Sequence, residues 1–275
     1  MTTSPGIAQL PIQKIQDADI LEMMDELAIE EPLEIRLQYG PAGDRREQSV
    51  SITMRTPGDD VQLATGFLFT EGIIADAGAI ELISTFTSNS ILVSLQKNIN
   101  LDLSKLQRHF YTTSSCGVCG KSSLEALRTV CPAATATNEW KIDKDVLHHL
   151  PDRLRQQQAI FSSTGGLHAA ALFDKEGHFM FAKEDIGRHN ALDKLIGTTL
   201  QDGQIPLDKH ILLLSGRACF ELIQKAAMAG IRLVAAVGAP SSLAVQLAQE
   251  CNMTLIGFLR DQRFNIYTST HRVRI

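Results

Sequence analysis

Apolar and polar side chains alternate along Leu33-Glu34-Ile35-Arg36-Leu37-Gln38-Tyr39, the period of a strand buried on one face. Gly40-Pro41-Ala42-Gly43-Asp44 reads as its turn, and residues 49–54 as the returning strand of a long-looped hairpin. Pro57-Gly58-Asp59-Asp60 stops that strand and opens a helix over about residues 61–70, where Leu63, Ala64, Phe67 and Leu68 share a face. Residues 91–95 form another apolar strand. The pattern up to about residue 110 is therefore that of a small α+β region, its first 30 residues a mixed polar tail and irregular lead-in.

The later pattern is more regular. Residues 122–130 read as a short helix, and the Ala- and Thr-rich residues 132–138 as the link between halves. Asp143 caps a helix running to about residue 158, bent near Pro151. Strands at 167–173 and 178–182 flank the tight turn Asp174-Lys175-Glu176-Gly177, and a helix over 185–196 ends at Gly197. Strands at 211–214, 231–237 and 254–259 then alternate with helices at 218–229 and 241–250, and residues 264–268 add an edge strand. Continuous aliphatic strands alternating with helices of this length predict a parallel sheet covered on both faces. The division drawn from this is residues 1–135, an α+β region ending in a Cys-x-x-Cys loop, and 136–275, an α/β nucleotide- or cofactor-binding domain.

Composition narrows the function classes. A chain of 275 residues with 44% hydrophobic and 21% charged residues is an ordinary globular protein with ample core. Its net charge of −5 argues against broad nucleic-acid binding. No apolar run reaches the roughly 20 residues of a membrane span, and the first residues lack the pattern of a secretory signal. Five cysteines are too few and too irregular for a disulfide scaffold, so a cytoplasmic setting is expected.

Candidate chemistry centres on Thr112-Thr113-Ser114-Ser115-Cys116-Gly117-Val118-Cys119-Gly120, two thiols three positions apart among small residues. Three uses suit it: a structural zinc site, which needs further ligands; a disulfide exchanger; or a persulfide carrier, which needs an accessible thiol on a pliable backbone. Cys131, Cys219 and Cys251 are isolated, and Cys219 and Cys251 read as small core hydrophobes.

Three strand ends gather hydroxyls, glycines and arginines: Ser215-Gly216-Arg217; Gly238-Ala239-Pro240-Ser241-Ser242; and Phe258-Leu259-Arg260-Asp261-Gln262-Arg263. At the carboxyl edge of a parallel sheet this suits a nucleotide-like ligand, with arginine forks for phosphate oxygens and Asp261 for a purine edge. Each loop also reads as an ordinary cap or turn. Asp185, His189 and Asp193 fall four apart on the expected helix, which suits either a proton-transfer histidine or an ion-paired helix start. His168 lacks the following glutamate of zinc deaminases, and the Cys pair precedes it, which argues against that chemistry.

Taken together, Ser-Cys-Gly-Val-Cys-Gly, Gly-Leu-His-Ala-Ala, Glu-Asp-Ile-Gly-Arg-His-Asn-Ala-Leu-Asp-Lys, Ser-Gly-Arg-Ala and the late Gly-Phe-Leu-Arg resemble the FdhD family from about residue 30 onward. The resemblance implies a cytidine-deaminase-like α/β fold, a homodimer, and a sulfurtransferase required for formate dehydrogenase activity. A cysteine desulfurase would hand sulfur to Cys116, with Cys119 as the second loop cysteine. The persulfide would pass to the molybdenum cofactor, bis-molybdopterin guanine dinucleotide, before its insertion into formate dehydrogenase. Phe258, Leu259, Arg260, Asp261, Gln262 and Arg263 match the family's cofactor-binding stretch, where relatives carry a basic-Pro-Gly-Arg pattern. Ser215, Arg217 and His189 are expected to complete the cofactor site. No metal of the protein's own is expected, and no nucleic-acid or membrane partner. The alternative is a cofactor chaperone without sulfur chemistry.

Overall fold

The computed structural model describes residues 6–99 and 140–275. Cys116, Cys119 and Cys131, with the expected helix at 122–130 and link at 132–138, lie outside the described residues. A six-stranded sheet organises the second half. Its order is β13 (Arg263–Thr268), β12 (Thr254–Arg260), β11 (Leu233–Ala236), β10 (His210–Leu214), β8 (His168–Asp174) and β9 (Phe179–Asp185). Only β10, β11 and β12 run parallel, whereas β8, β9 and β13 pair antiparallel. The expectation of a parallel sheet thus holds for its centre. Its flanks are hairpins, whose strands carry the same aliphatic content.

Both faces of the central strands are buried, which explains why they read as unbroken aliphatic runs. Leu212, Leu214, Val234, Ala236 and Leu255 point to one side, into the larger core beneath α4 (Arg188–Gln201), α5 (Phe220–Met228) and α6 (Ser242–Glu250). Ile211, Leu213, Leu233, Ala235 and Ile256 point to the other, where α2 (Lys144–Arg155) and the short parallel pair β7 (Ile142–Asp143) and β14 (Val273–Arg274) cover them. A short helix, α3 (Ala159–Thr164), leads into β8.

The first half forms a second, four-stranded sheet in the order β4 (Arg46–Arg55), β3 (Glu31–Tyr39), β6 (Ser90–Leu95) and β5 (Ile80–Thr87). Helix α1 (Asp60–Thr70) joins this sheet to α4, and one apolar core runs from Leu33 and Ile91 through to Leu247 and Leu255. Buried polar contacts tie the same seam. The Asp185 carboxylate, fully buried, accepts from Thr56 N–H at 3.2 Å, Gly187 N–H at 2.8 Å and Asn190 Nδ2 at 3.0 Å, and pairs with Lys194 at 2.8 Å. Lys194 also donates to the Thr56 carbonyl at 2.8 Å, so both its charge and its donors are matched.

Three expectations need correction. Residues 7–28, read as an irregular lead-in, form an antiparallel hairpin of β1 (Ile7–Gln16) and β2 (Asp19–Ala28). Its Leu10, Ile15, Ile20, Leu21, Met23 and Met24 are exposed, so it has no buried face to impose a period-two pattern. The helix expected at 185–196 begins at Arg188, because Asp185 ends β9, and it passes through Gly197 to Gln201. Cys251 is buried but disulfide-bonded rather than isolated.

Candidate functional site: a cleft at the carboxyl edge of the sheet

Three loops close the carboxyl ends of β10, β11 and β12, and their backbones are sewn to one another. Gly238 N–H donates to the Gly216 carbonyl at 3.0 Å, Ala218 N–H to Ala239 at 3.1 Å, and Phe258 N–H to Gly238 at 3.1 Å. These N–H groups hold the floor of the site. A Cβ on Gly238 would stand 2.9 Å from the Gly216 oxygen, so this stitching requires glycine there. Ser241 is likewise spent as the cap of α6, its Oγ accepting from Ala244 N–H at 3.2 Å.

Above this floor opens a cleft of about 1100 Å³, between the strand ends and α2. Ser215, Leu259, Arg260, Asp261 and Gln262 line it, together with His168, His148 and Gln158. Of the residues expected at the cofactor site, five are thus brought together. Phe258, Arg263, Arg217 and His189 do not line this cleft. The volume lies just above the usual range for small-molecule sites, about 300–1,000 Å³.

Each wall has a local cause. Ser215 bridges β8 and β10: its Oγ accepts from Ala169 N–H at 2.8 Å, and its own N–H donates to the Ala169 carbonyl at 3.0 Å. Its hydroxyl hydrogen is left for a ligand. His168 stands against Gly216, where a Cβ would come 3.1 Å from Nδ1. Burial lowers the His168 pKa, and the Arg188 and Arg217 charges lower it further against the pull of Asp185. At neutral pH it is an uncharged imidazole, able to donate at one nitrogen and accept at the other.

Asp261 and Gln262 both take left-handed φ values, +50° and +58°, as the central pair of the β12–β13 turn between Arg260 and Arg263. Two positive φ values in a two-residue hairpin turn are the type I′ signature, and proline is barred from it because its ring holds φ near −65°. A Pro-Gly pair here would need a turn of another type, so the exchange for Asp-Gln changes how Arg260 and Arg263 are presented. Phe258 also has a positive φ, +56°, beside the β-bulge between Gly257 and Arg260. Leu259 is thereby buried while Phe258 faces outward.

Sequence reading missed Gln158 and His148. Gln158 is buried between α2 and α3, yet among the described residues its Nε2 has no partner, and neither has the Nδ1 of His148. A buried donor without an acceptor costs about 1–3 kcal/mol, so both mark places where a ligand's oxygens or ring nitrogens fit. No local pattern marks either residue, because each is one polar position on a helix or its end. Their role follows only from the strand ends opposite.

His189 sits elsewhere on the rim. Asp185 and Asp193, expected to flank it, are engaged by Lys194 and Lys225. Burial, with Lys225 and Arg188 nearby, lowers its pKa to about 4. Neither carboxylate therefore pairs with it, and the imidazole is neutral. Its Nε2 lies 3.3 Å from Cys219 Sγ and 4.0 Å from Glu221 Oε2.

Fold and site together define a mixed α/β protein of several sheets, with a ligand cleft where parallel strands end. The overall fold is also that of a crystal structure of a protein assigned as a formate dehydrogenase accessory protein from Desulfotalea psychrophila, with a TM-score of 0.76, 24% identity, and 98% of this chain and all of that one covered. Residues 28–274 match the model of the FdhD/NarQ family, and the chain belongs to that family. Among curated relatives, the sulfur carrier protein FdhD of Streptomyces avermitilis is 47% identical over 272 residues, covering 95% of this chain and 94% of its own. That of Saccharolobus solfataricus is 38% identical over 267 residues, covering 97% and 98%.

Proposed function

We propose that this protein is a sulfur carrier serving formate dehydrogenase, with Cys116 as the persulfide-bearing residue and the cleft as the seat of the molybdenum cofactor. Family membership over nearly the whole chain, with relatives named as sulfur carriers, supports the sulfur chemistry. The single structural observation behind the acceptor is the cleft itself. It is large enough for a nucleotide moiety, stands where open sheets bind ligands, and holds polar nitrogens at Gln158 and His148 with no partner among the described residues.

In the loading step the Cys116 thiolate attacks the outer sulfur of a cysteine desulfurase persulfide, and the desulfurase thiolate leaves. One S–S bond breaks and one forms, so no external oxidant or reductant is required. Cys119 assists or resolves the persulfide in this reading. The cargo is bis-molybdopterin guanine dinucleotide. Arg260 serves its phosphates, while Asp261, Gln158 and the neutral His168 serve its guanine edge and ribose oxygens. The reading also takes the sheet layering as cytidine-deaminase-like and the assembly as a homodimer in the cytoplasm.

The test is incubation of the full chain with a cysteine desulfurase and cysteine, followed by peptide mass spectrometry. The peptide containing Cys116 gains the mass of one sulfur atom, which dithiothreitol removes. If that peptide stays unchanged while the chain still binds guanine nucleotide, the protein is a cofactor chaperone and the sulfur-carrier reading fails.

A further inference from the structure

Cys219 opens α5 as its N-cap residue, His189 lies in the first turn of α4, and Glu221 is two residues beyond the thiol. The two helix starts bring one sulfur, one imidazole nitrogen and one carboxylate oxygen within 4.8 Å of one another. We propose that His189, Cys219 and Glu221 form a zinc-class metal site, with three protein ligands among the described residues and an open fourth position.

The distances carry the assignment. Tetrahedral zinc, bonded at about 2.3 Å to sulfur and 2.0–2.1 Å to nitrogen or oxygen, sets its ligand atoms roughly 3.3–3.7 Å apart. The Nε2 to Sγ separation is already 3.3 Å, and the Nε2 to Oε2 separation of 4.0 Å closes with a small rotation of the glutamate. The donor set is selective: thiolate and imidazole favour zinc and its neighbours in the transition series, and do not suit magnesium or calcium. The side chains of His189 and Glu221 are 23% and 17% exposed, which leaves a solvent route to the fourth position.

The surroundings suit an ion of this charge. Lys225, a cation close to His189, is neutralised by Asp193 at 2.9 Å and Glu71 at 3.1 Å. With Glu221 and a thiolate added, the acidic groups outnumber Lys225 and Arg188 by two. In binding, the metal replaces the thiol hydrogen, which leaves as a proton to solvent, and two metal–ligand bonds form alongside the metal–sulfur bond. No electron is transferred. The site stands whether or not the chain carries sulfur, because it uses none of the cleft residues and neither loop cysteine.

The experiment uses the full chain with Cys116→Ser and Cys119→Ser, which removes the competing thiol pair. Loaded with Zn²⁺ and desalted, this protein retains one equivalent by elemental analysis. Co²⁺ in its place gives a thiolate-to-cobalt charge-transfer band in the near ultraviolet. Adding Cys219→Ser abolishes the band, and Glu221→Gln weakens Zn²⁺ binding at least about tenfold. Should the Cys219→Ser protein fail to fold, protection is read instead: bound Zn²⁺ slows alkylation of the Cys219 peptide at least about tenfold. No retained metal, a cobalt band that survives Cys219→Ser, or an alkylation rate indifferent to Zn²⁺ overturns the site, leaving a hydrogen-bonded triad.

Discussion

Gly66 of α1 and Gly197 of α4 face each other at the helix crossing, each standing in the space a side chain on the other would need. A Cβ on Gly66 would overlap the Asp193 carbonyl oxygen and lie 2.9 Å from Gly197 N; one on Gly197 would overlap the Gln62 oxygen and lie 2.8 Å from Gly66 N. The obstacles are backbone atoms of the opposite helix, which rotamer changes cannot move. This contact joins the two sheets into one core.

Gly197→Ala is therefore expected to destabilise by about 3 kcal/mol or more, through forced separation of the helices. Urea unfolding measures it. Gly203→Ala is the control: its φ is +68° with open space around it, so it costs only the left-handed strain of about 1–2 kcal/mol. Equal losses would show that the crossing has room to give.

Lys225 is buried, and it donates to Thr70 Oγ1 at 2.9 Å and pairs with Asp193 and Glu71. Burial opposes its charge, but Asp193 and Glu71 outweigh burial and raise its pKa. Burial also raises the Asp193 pKa, against the opposing pull of Lys225. Lys225→Met leaves Asp193 buried without its cation, an expected loss of about 3–5 kcal/mol. Lys225→Met with Asp193→Asn recovers part of that loss in the same denaturation assay, since the unpaired charge is gone. Absence of any recovery would put the cost in packing.

The neutral His189 makes stability depend on pH. Its folded pKa, about 4, lies below the unfolded value of 6.5, so the unfolded chain binds the extra proton between them. The contribution is full above pH 6.5 and is lost progressively as pH falls toward 4, amounting to about 3 kcal/mol for the metal-free protein. Urea midpoints measured with chelator present should show this slope, and His189→Gln should flatten it.

Arg260 lines the cleft from an exposed strand end. Arg260→Ala is expected to weaken binding of guanosine diphosphate about tenfold by calorimetry, the worth of one charge-assisted hydrogen bond. Unchanged affinity would place the nucleotide elsewhere on the rim.

Gln262 holds φ at +58° without being glycine. Gln262→Gly relieves the left-handed strain and should stabilise the chain by about 0.5–1 kcal/mol, read from thermal unfolding. A loss of stability would mean that the Gln262 side chain contributes more than its backbone strain.

The site was partly legible in the sequence. Ser215 and residues 259–262 were found because strand ends followed by Gly, Arg and hydroxyl residues mark a sheet's carboxyl edge locally. Gln158 escaped, since an isolated glutamine near a helix end looks solvated until opposing strand ends bury it. Gly216 and Gly238 lie in different loops, and only their approach reveals that the N–H of one is consumed by the carbonyl of the other.

By itself the sequence determined the family, the apolar strands, most helices and the Cys-x-x-Cys motif, because periodicity and motif spacing are properties of neighbouring residues. Tertiary structure decided strand direction, since β8 and β10 are equally aliphatic yet antiparallel. It decided that Gly197 continues a helix instead of ending one, because α1 crosses there. It also gave His189 a sulfur partner thirty residues away in place of the carboxylates on its own helix. Each of these depends on which segments meet in space, and that is set by core packing across the chain, which no local window contains.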